Sequence, residues 1–330
     1  MKTLIPFLFL FIAFVSCERN EIPEDFSPEI SFEVSQFIET QIPVLNFELT
    51  PNGFYYSGYE EPRIYFSTFS GDTMSIKTES EVKSLVYDRR FRKLYIGTKS
   101  SGLGVLKGNT ITYFSPDNSI LPRYVIARMD VDSEGNLWIA SAKNGEGGLY
   151  RFDGNEFVHF STDNSLLTSD LIYGICCRNA SVYISGKGID GHTVFRIDKT
   201  EKGEYSWEEI LSDGEYYHEI AADENDNVYV IFRVPAEGII KLSADGTKNI
   251  ITPDRKGDGF VYTKLITDKR GYLWANKISL VSSEHFSVYD GKNWHPAPTA
   301  FPENGLESID VDENNNIWLA SYSGIYILNQ

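Results

Sequence analysis

Residues 130–141 read DVDSEGNLWIAS and residues 310–321 read DVDENNNIWLAS. In the first copy Asp130, Asp132 and Glu134 hold positions one, three and five with Gly135 at six, as a calcium loop of the EF-hand type opens. Such a loop also needs a bidentate carboxylate at position twelve and a helix on each side. The twelfth positions are Ser141 and Ser321, the flanks alternate as strands do, and the sixth position of the second copy is Asn315. The acids are therefore read as turn formers, because clusters of Asp, Asn and Gly are what a hairpin turn with a left-handed residue needs. No metal site is assigned. The five histidines, His159, His192, His218, His285 and His295, include no pair at the spacing of a zinc-binding helix, and the His218-Glu219 dipeptide lacks the second histidine of that motif. There is no G-x-S-x-G elbow and no glycine-rich phosphate loop. No catalytic residue is assigned and no cofactor is implied.

The elements that would position any site follow from the Trp residues of those two copies. Their separation of 180 residues divides into steps if aromatic residues at Tyr56, Tyr95, Trp138, Tyr183, Tyr229, Trp274 and Trp318 are taken as anchors; the steps run from 39 to 46 residues. That is the period of a propeller blade, about 40 to 45 residues in the commonest repeats. Around each anchor lie an alternating run, an acidic turn, the anchor strand, a variable loop and two further short strands. The expected fold is all-β, a seven-bladed β-propeller with four antiparallel strands per blade, spanning residues 29–330. Small residues two places past several anchors, at Gly58, Gly97, Ala140, Ser185 and Ala320, suit strands crowded between blades. The seventh unit stops after its third strand. A ring cannot leave that edge open, and residues 29–37, EISFEVSQF, alternate as a strand should, so they are expected to close it as the outer strand of the last blade.

At the amino terminus Lys2 precedes an apolar run from Leu4 to Val15, too short for a membrane span and read as an export signal over residues 1–16. Ser16-Cys17 resembles the lipobox of bacterial lipoproteins, with Phe14 where leucine is usual. The resemblance implies lipid on Cys17, followed by an acidic tether over residues 17–28 with Glu18, Glu21, Glu24 and Asp25. The expected address is the outer membrane, lipid-anchored, at the periplasmic face or the cell surface. A net charge of -17 argues against nucleic acid and against anionic lipid as electrostatic partners, leaving the anchor as the membrane contact. The chain is expected to be a monomer. Cys176 and Cys177 are neighbours, are expected to stay reduced, and are given no function.

FSPDNSILPRYV from Phe114 and FSTDNSLLTSDLIY from Phe160 lie 46 residues apart. Together with D-x-x-G-N-L-W-I-A and G-G-L-Y-R-F-D-G, they resemble the two-component regulator propeller repeat, in the freestanding lipoprotein form without kinase or DNA-binding segments. The resemblance implies a propeller outside the cytoplasm that binds a ligand. Its loops between second and third strands supply the ligand-binding candidates Tyr59, Lys99, Lys143, Asn144, Lys187, Arg233, Lys277 and Tyr322, a rim suited to an acidic or hydroxyl-rich ligand. The expected partner is a glycan, a peptide or an envelope protein, and the expected function is non-catalytic. An alternative comes from streptogramin lyases, whose seven-bladed propellers carry a similar D-x-x-G-N-L-W repeat; that likeness would give acid and base roles to His192, His218 and Glu219. A pure protein scaffold is the third reading.

Overall fold

In the computed structural model, which describes residues 33–122, 125–141, 147–188, 191–213, 215–233, 237–252, 260–279, 285–296 and 306–329, the repeated acidic turn explains the repeated aromatic residue. One carboxylate oxygen of Asp132 accepts the backbone N–H groups of Glu134 at 3.0 Å and Asn136 at 2.9 Å. The other accepts the Asn136 side-chain amide at 2.9 Å and the Trp138 indole N–H at 2.8 Å. Asp312 makes the same four bonds to Asn314, Asn316 and Trp318. Asp223 caps Asn225 and Asn227 and accepts the Tyr229 hydroxyl at 3.2 Å, and Asp268 accepts the Trp274 indole at 3.3 Å. The turn thus supplies the one polar partner that a buried indole or phenol requires. The left-handed residue each turn needs is Gly135, Asp226, Gly271 or Asn315.

Seven four-stranded antiparallel sheets result, each built from consecutive strands except the last. The inner strands are Asn46–Thr50, Val82–Asp88, Arg128–Val131, Ile172–Arg178, Tyr217–Ala222, Phe260–Thr267 and Leu306–Val311, which number blades 1 to 7. In blade 7 the second and third strands, Ile317–Ser321 and Gly324–Asn329, are followed in the sheet by Glu33–Glu39 from the amino-terminal side. The ring closes as expected. The closing strand runs to Glu39, two residues beyond the predicted end, with Glu33 opposite Asn329 and Glu39 opposite Gly324. The predicted residues 29–32, the export signal and the tether lie outside the described residues. Among those described, no helix is long and apolar enough to cross a membrane.

The core lies between blades. All seven anchors are buried, Trp318 the most exposed of them at 5%. Each apolar cluster draws on two adjacent blades: Phe47, Phe54 and Trp318 join blades 1 and 7, and Trp138, Phe160 and Phe195 join blades 3 and 4. The small residues past the anchors sit at these seams. A Cβ on Gly97 would stand 2.1 Å from Ser84 Oγ and 2.3 Å from the Ile126 carbonyl oxygen. Cys176 and Cys177 are free thiols, and burial pushes Cys176 up to about 12, which leaves it unreactive.

Candidate ligand-binding channel and mouth

The inner strands surround a cavity of about 830 Å³. Each presents a sheet edge there, with backbone groups that need partners, and side chains of the neighbouring blade supply them. Asp310 accepts Leu49 N–H at 3.2 Å across the seam from blade 7 to blade 1, and Glu48 accepts Tyr87 N–H at 3.0 Å from blade 1 to blade 2. Asp130 accepts Cys177 N–H at 2.7 Å from blade 3 to blade 4. Ser84 donates to the Ile126 carbonyl at 2.8 Å, Arg178 Nε to the Ala222 carbonyl at 2.9 Å, and Thr267 to the same carbonyl at 2.7 Å. Lys264 Nζ reaches Ser308 Oγ at 3.3 Å to complete the circuit.

This corrects the reading of the opening acids. Asp132 and Asp312 do belong to turns. Asp130 and Asp310 do not, because two residues earlier the chain is already inner strand, with Asp130 opposite Trp138 and Asp310 opposite Trp318, at the channel. Burial raises the carboxyls of Glu48 and Asp310, and pushes Asp130 up to about 6; Lys264 is the cation that opposes this at all three. Glu48 and Lys264 escaped sequence reasoning. The signal was a charged residue inside an otherwise apolar inner strand, visible only once the strand is known to line a channel.

The two ends of the channel differ. Tight acidic turns make one face, and the loops entering each blade and joining its second and third strands make the other. On this loop face five inner strands carry a bulge near their first residues, at Val82/Ser84, Ile172/Gly174, Tyr217/Ile220, Tyr262/Lys264 and Leu306/Ser308. A bulge re-aims the residue it inserts. The residues so placed are Lys83, Tyr173, the pair His218-Glu219, Thr263 and Glu307, which ring the mouth.

Around this mouth the sequence candidates divide. Tyr59 and Tyr322 come together, 58% and 42% exposed, and burial first, then Glu307 and Tyr59, raise the Tyr322 hydroxyl above its ordinary value. Lys99 is tied to Glu81 at 3.0 Å, and Lys83 pairs with the same carboxylate, which these two amines hold below its ordinary range. Lys277 is buried at 3% exposure and donates to Ser287 Oγ at 2.9 Å. Arg233 donates from Nη2 to the Tyr262 carbonyl at 3.2 Å. Lys187 is exposed, opposite His192 in its hairpin. Lys143 and Asn144 lie outside the described residues. The rim is thus not a ring of free cations, since partners at hydrogen-bond distance take up most of those described.

His192 and His218 share two neighbours, Tyr173 and Tyr216, in a group of rings between blades 4 and 5. His192 lies 4.2 Å from Tyr216 and 5.4 Å from Tyr173, measured between ring centroids; His218 lies 6.3 Å from Tyr173. Burial first, then Arg233 and Arg128, hold His218 down at about 4, and burial with Lys187 holds His192 below its ordinary value. At both, burial favours the neutral imidazole. Glu219 leaves the group, lines the channel and pairs with Arg128 at 3.3 Å. Tyr173, Tyr216 and Arg128 had no sequence signal, because what joins them is the alignment of bulges on separate blades.

No protein-family model matches the chain, and no curated protein sequence matches it. Solved structures do. A catalytically inactive virginiamycin B lyase from Staphylococcus aureus, with quinupristin, superposes with a TM-score of 0.71 at 12% identity, over 91% of this chain and 100% of that one. The extracellular domain of the two-component system protein BT3049 from B. thetaiotaomicron gives 0.64 at 14% identity, over 88% of this chain and 40% of that one. PorZ, a surface component of the type-IX secretion system of Porphyromonas gingivalis, gives 0.61 at 12%, over 89% and 47%. At such identities the likeness is one of fold.

Proposed function

We propose that this chain is a non-catalytic propeller of the bacterial envelope, lipid-anchored through Cys17, that takes a ligand at the loop-face mouth of its channel. The observation that carries the reading is the set of five inner-strand bulges in register around that mouth. Bulges interrupt the backbone ladder and concentrate where side chains must be aimed at something; the turn face has none on its inner strands among the described residues. The closing strand enters the ring from the turn face, at Glu33 opposite Asn329. A lipid on Cys17 would tether the propeller through the span from Cys17 to Glu33, which reaches about 50 Å when extended. The likeness to extracellular domains of two-component system proteins supports this placement and the kinship with their propeller repeat.

A glycan is the ligand we favour over a peptide or an envelope protein. Two exposed tyrosines side by side, Tyr59 and Tyr322, offer flat apolar faces, and the Lys99–Glu81 and Arg128–Glu219 pairs elsewhere on the mouth and channel offer donors and acceptors for hydroxyl groups. The test is a glycan array probed with the chain from Glu18 onward and with its Tyr59→Ala/Tyr322→Ala variant. Binding lost in the variant supports the mouth; binding kept in full removes it. For the anchor, a palmitate analogue should label the wild type and not Cys17→Ala, and label that persists rejects the lipoprotein assignment.

The second reading is a lyase, favoured by the superposition on virginiamycin B lyase and by the gathering of His192 and His218 around Tyr173. Against it, Nδ1 of neither histidine has a partner, and Glu219 is engaged by Arg128. Linearisation of quinupristin by the purified chain, abolished in His218→Ala, would establish this reading over the first.

A further inference from the structure

The turn between the first two strands of blade 2 reads Arg89-Arg90-Phe91-Arg92-Lys93, four cations in five residues, on a chain of net charge -17. It is one residue longer than the turns of blades 3, 5, 6 and 7: seven positions separate Asp88 from Tyr95, against six from Asp132 to Trp138. The added length puts Arg92 in the left-handed region, at φ 54°. In the other four turns that place falls to Gly135, Asp226, Gly271 or Asn315, residue types that accept it. Arginine is not what turn chemistry selects there.

Most of these charges are not neutralised within the fold. Arg89 pairs with Glu313 of blade 7 at 2.9 Å. Arg90 bonds the carbonyl oxygens of Ser133 and Glu134, and Arg90 and Lys93 lie 5.3 and 5.0 Å from the centre of the Phe91 ring. Lys107 stands exposed at the outer turn of the same blade, so the cations form a stripe from the channel end, which Arg89 and Arg90 line, to the rim of the turn face. Among the described residues Arg90, Arg92, Lys93 and Lys107 have no carboxylate within ion-pair distance. Asp88 beneath them is buried and spends one oxygen on the N–H groups of Arg90 and Phe91. The flanking acids, Asp72 and Asp153, belong to the outer turns of blades 1 and 3. Phe91 completes the tip. Its ring rests on Gly135, where a Cβ would stand 2.6 Å from it, and is still 47% exposed.

A projecting tip with a ring held up between cations suits a flat, yielding surface that bears anions, because phosphates can meet the charges while the ring enters the apolar boundary beneath them. We propose that this stripe docks the turn face on an anionic phospholipid surface, with Arg90, Arg92, Lys93 and Lys107 on the headgroup phosphates and Phe91 among them. The overall negative charge does not forbid it. At physiological ionic strength charges are screened beyond about 8 Å, so the lipid meets the stripe rather than the sum over the chain. The site is separate from the mouth, at the other end of the channel, and stands with or without a lipid on Cys17. Were that lipid present, it would confine the ring near a membrane, where even a weak contact of the stripe is enough to choose the face that meets it.

The test is co-sedimentation of the chain from Glu18 onward, which carries no lipid, with vesicles of phosphatidylcholine and of an equal mixture of phosphatidylcholine and phosphatidylglycerol. The expected result is binding to the mixed vesicles only, falling as salt rises. Each cation removed should weaken it about fivefold, so Arg92→Asn with Lys107→Ser should lose roughly twenty-five-fold. Both substitutions leave the fold intact, since neither side chain has a partner to lose and asparagine suits the left-handed position; an unchanged melting temperature checks this. Lys77→Ser, which removes an exposed cation at the loop-face end of the outer strand of blade 1, should keep full binding. Phe91→Trp should emit at shorter wavelength on the mixed vesicles, and emission that does not shift overturns the part given to the ring. Binding to neither vesicle, or equally to both, overturns the proposal, as does a loss in Lys77→Ser equal to that of the stripe variants. Capture by polygalacturonate without binding to mixed vesicles replaces the lipid by a soluble polyanion and overturns the membrane. The mouth is judged separately, by the glycan array.

Discussion

Asp130→Asn would change the pH dependence of folding more than its magnitude at any one pH. Burial pushes the Asp130 carboxyl up to about 6, from an ordinary value near 3.8. A carboxyl raised on folding binds its proton more tightly in the native state. Its contribution to stability is therefore fully present below about pH 3.8 and is lost as pH rises through about 6. Two pK units correspond to about 3 kcal/mol. That is an upper limit, because channel solvent reaches one side of the carboxylate. Asparagine carries no such charge but can face only one of the two N–H groups, of Cys177 and Val131, with an acceptor. The other then meets an amide donor, at a cost of about 1–3 kcal/mol at every pH. The variant should be the less stable protein at pH 4.5 and should close the gap, or overtake, by pH 7.5. Removing the Asp130 charge also lowers Glu48, whose carboxyl it helps to raise, and this acts in the same direction. Wild type alone would not reveal the effect. His218, held down at about 4, pulls oppositely, since its contribution is lost as pH falls below its ordinary 6.5. The difference between the two proteins cancels that background. Urea unfolding followed by tryptophan fluorescence at pH 4.5, 5.5, 6.5 and 7.5 measures it, and a stability difference that stays constant across the range refutes the argument.

Asp312→Ala should strip the buried Trp318 indole of its partner and two turn N–H groups of theirs, lowering stability by about 2–4 kcal/mol in thermal unfolding, whereas Asp312→Asn, which keeps acceptors for the turn, should lose less. Gly97→Ala should destabilise by about 1–3 kcal/mol, since its Cβ meets Ser84 Oγ and the Ile126 carbonyl far inside contact distance; the double variant with Ser84→Ala should recover only part of this, because the carbonyl cannot move away. Truncation before Ile42 removes the outer strand of blade 7 and exposes the edge of Gly324–Asn329, so a large fall in melting temperature and a tendency to associate are expected, and an unchanged melting curve would show that the closing strand is dispensable.

The architecture was legible because it is repetitive and local. The turn that puts Asp132 under Trp138 spans six residues, so its chemistry is written locally as D-x-x-G-N-L-W, and variants of it precede Tyr229, Trp274 and Trp318. Blade number, anchor burial, the crowded Gly97 and the closing strand all followed from that period. The mouth was legible in part. The loops carrying Tyr59, Lys99, Lys187, Arg233 and Tyr322 could be placed on one face from strand order alone, but whether a charge there is free could not. Lys277 and Lys99 both read as rim cations, yet the first is buried on Ser287 and the second is tied to Glu81.

The sequence by itself determined the ring, through a repeat that in four copies satisfies its own buried polar group within a few residues of chain. Only the tertiary structure decided which side chains meet in the middle. Asp130 and Cys177, Asp310 and Leu49, or His192 and Tyr216 belong to different strands, and most of them to different blades. Their meeting depends on how seven sheets twist, bulge and close around one axis, and no local pattern of residues encodes a partner that the closing of the ring brings near.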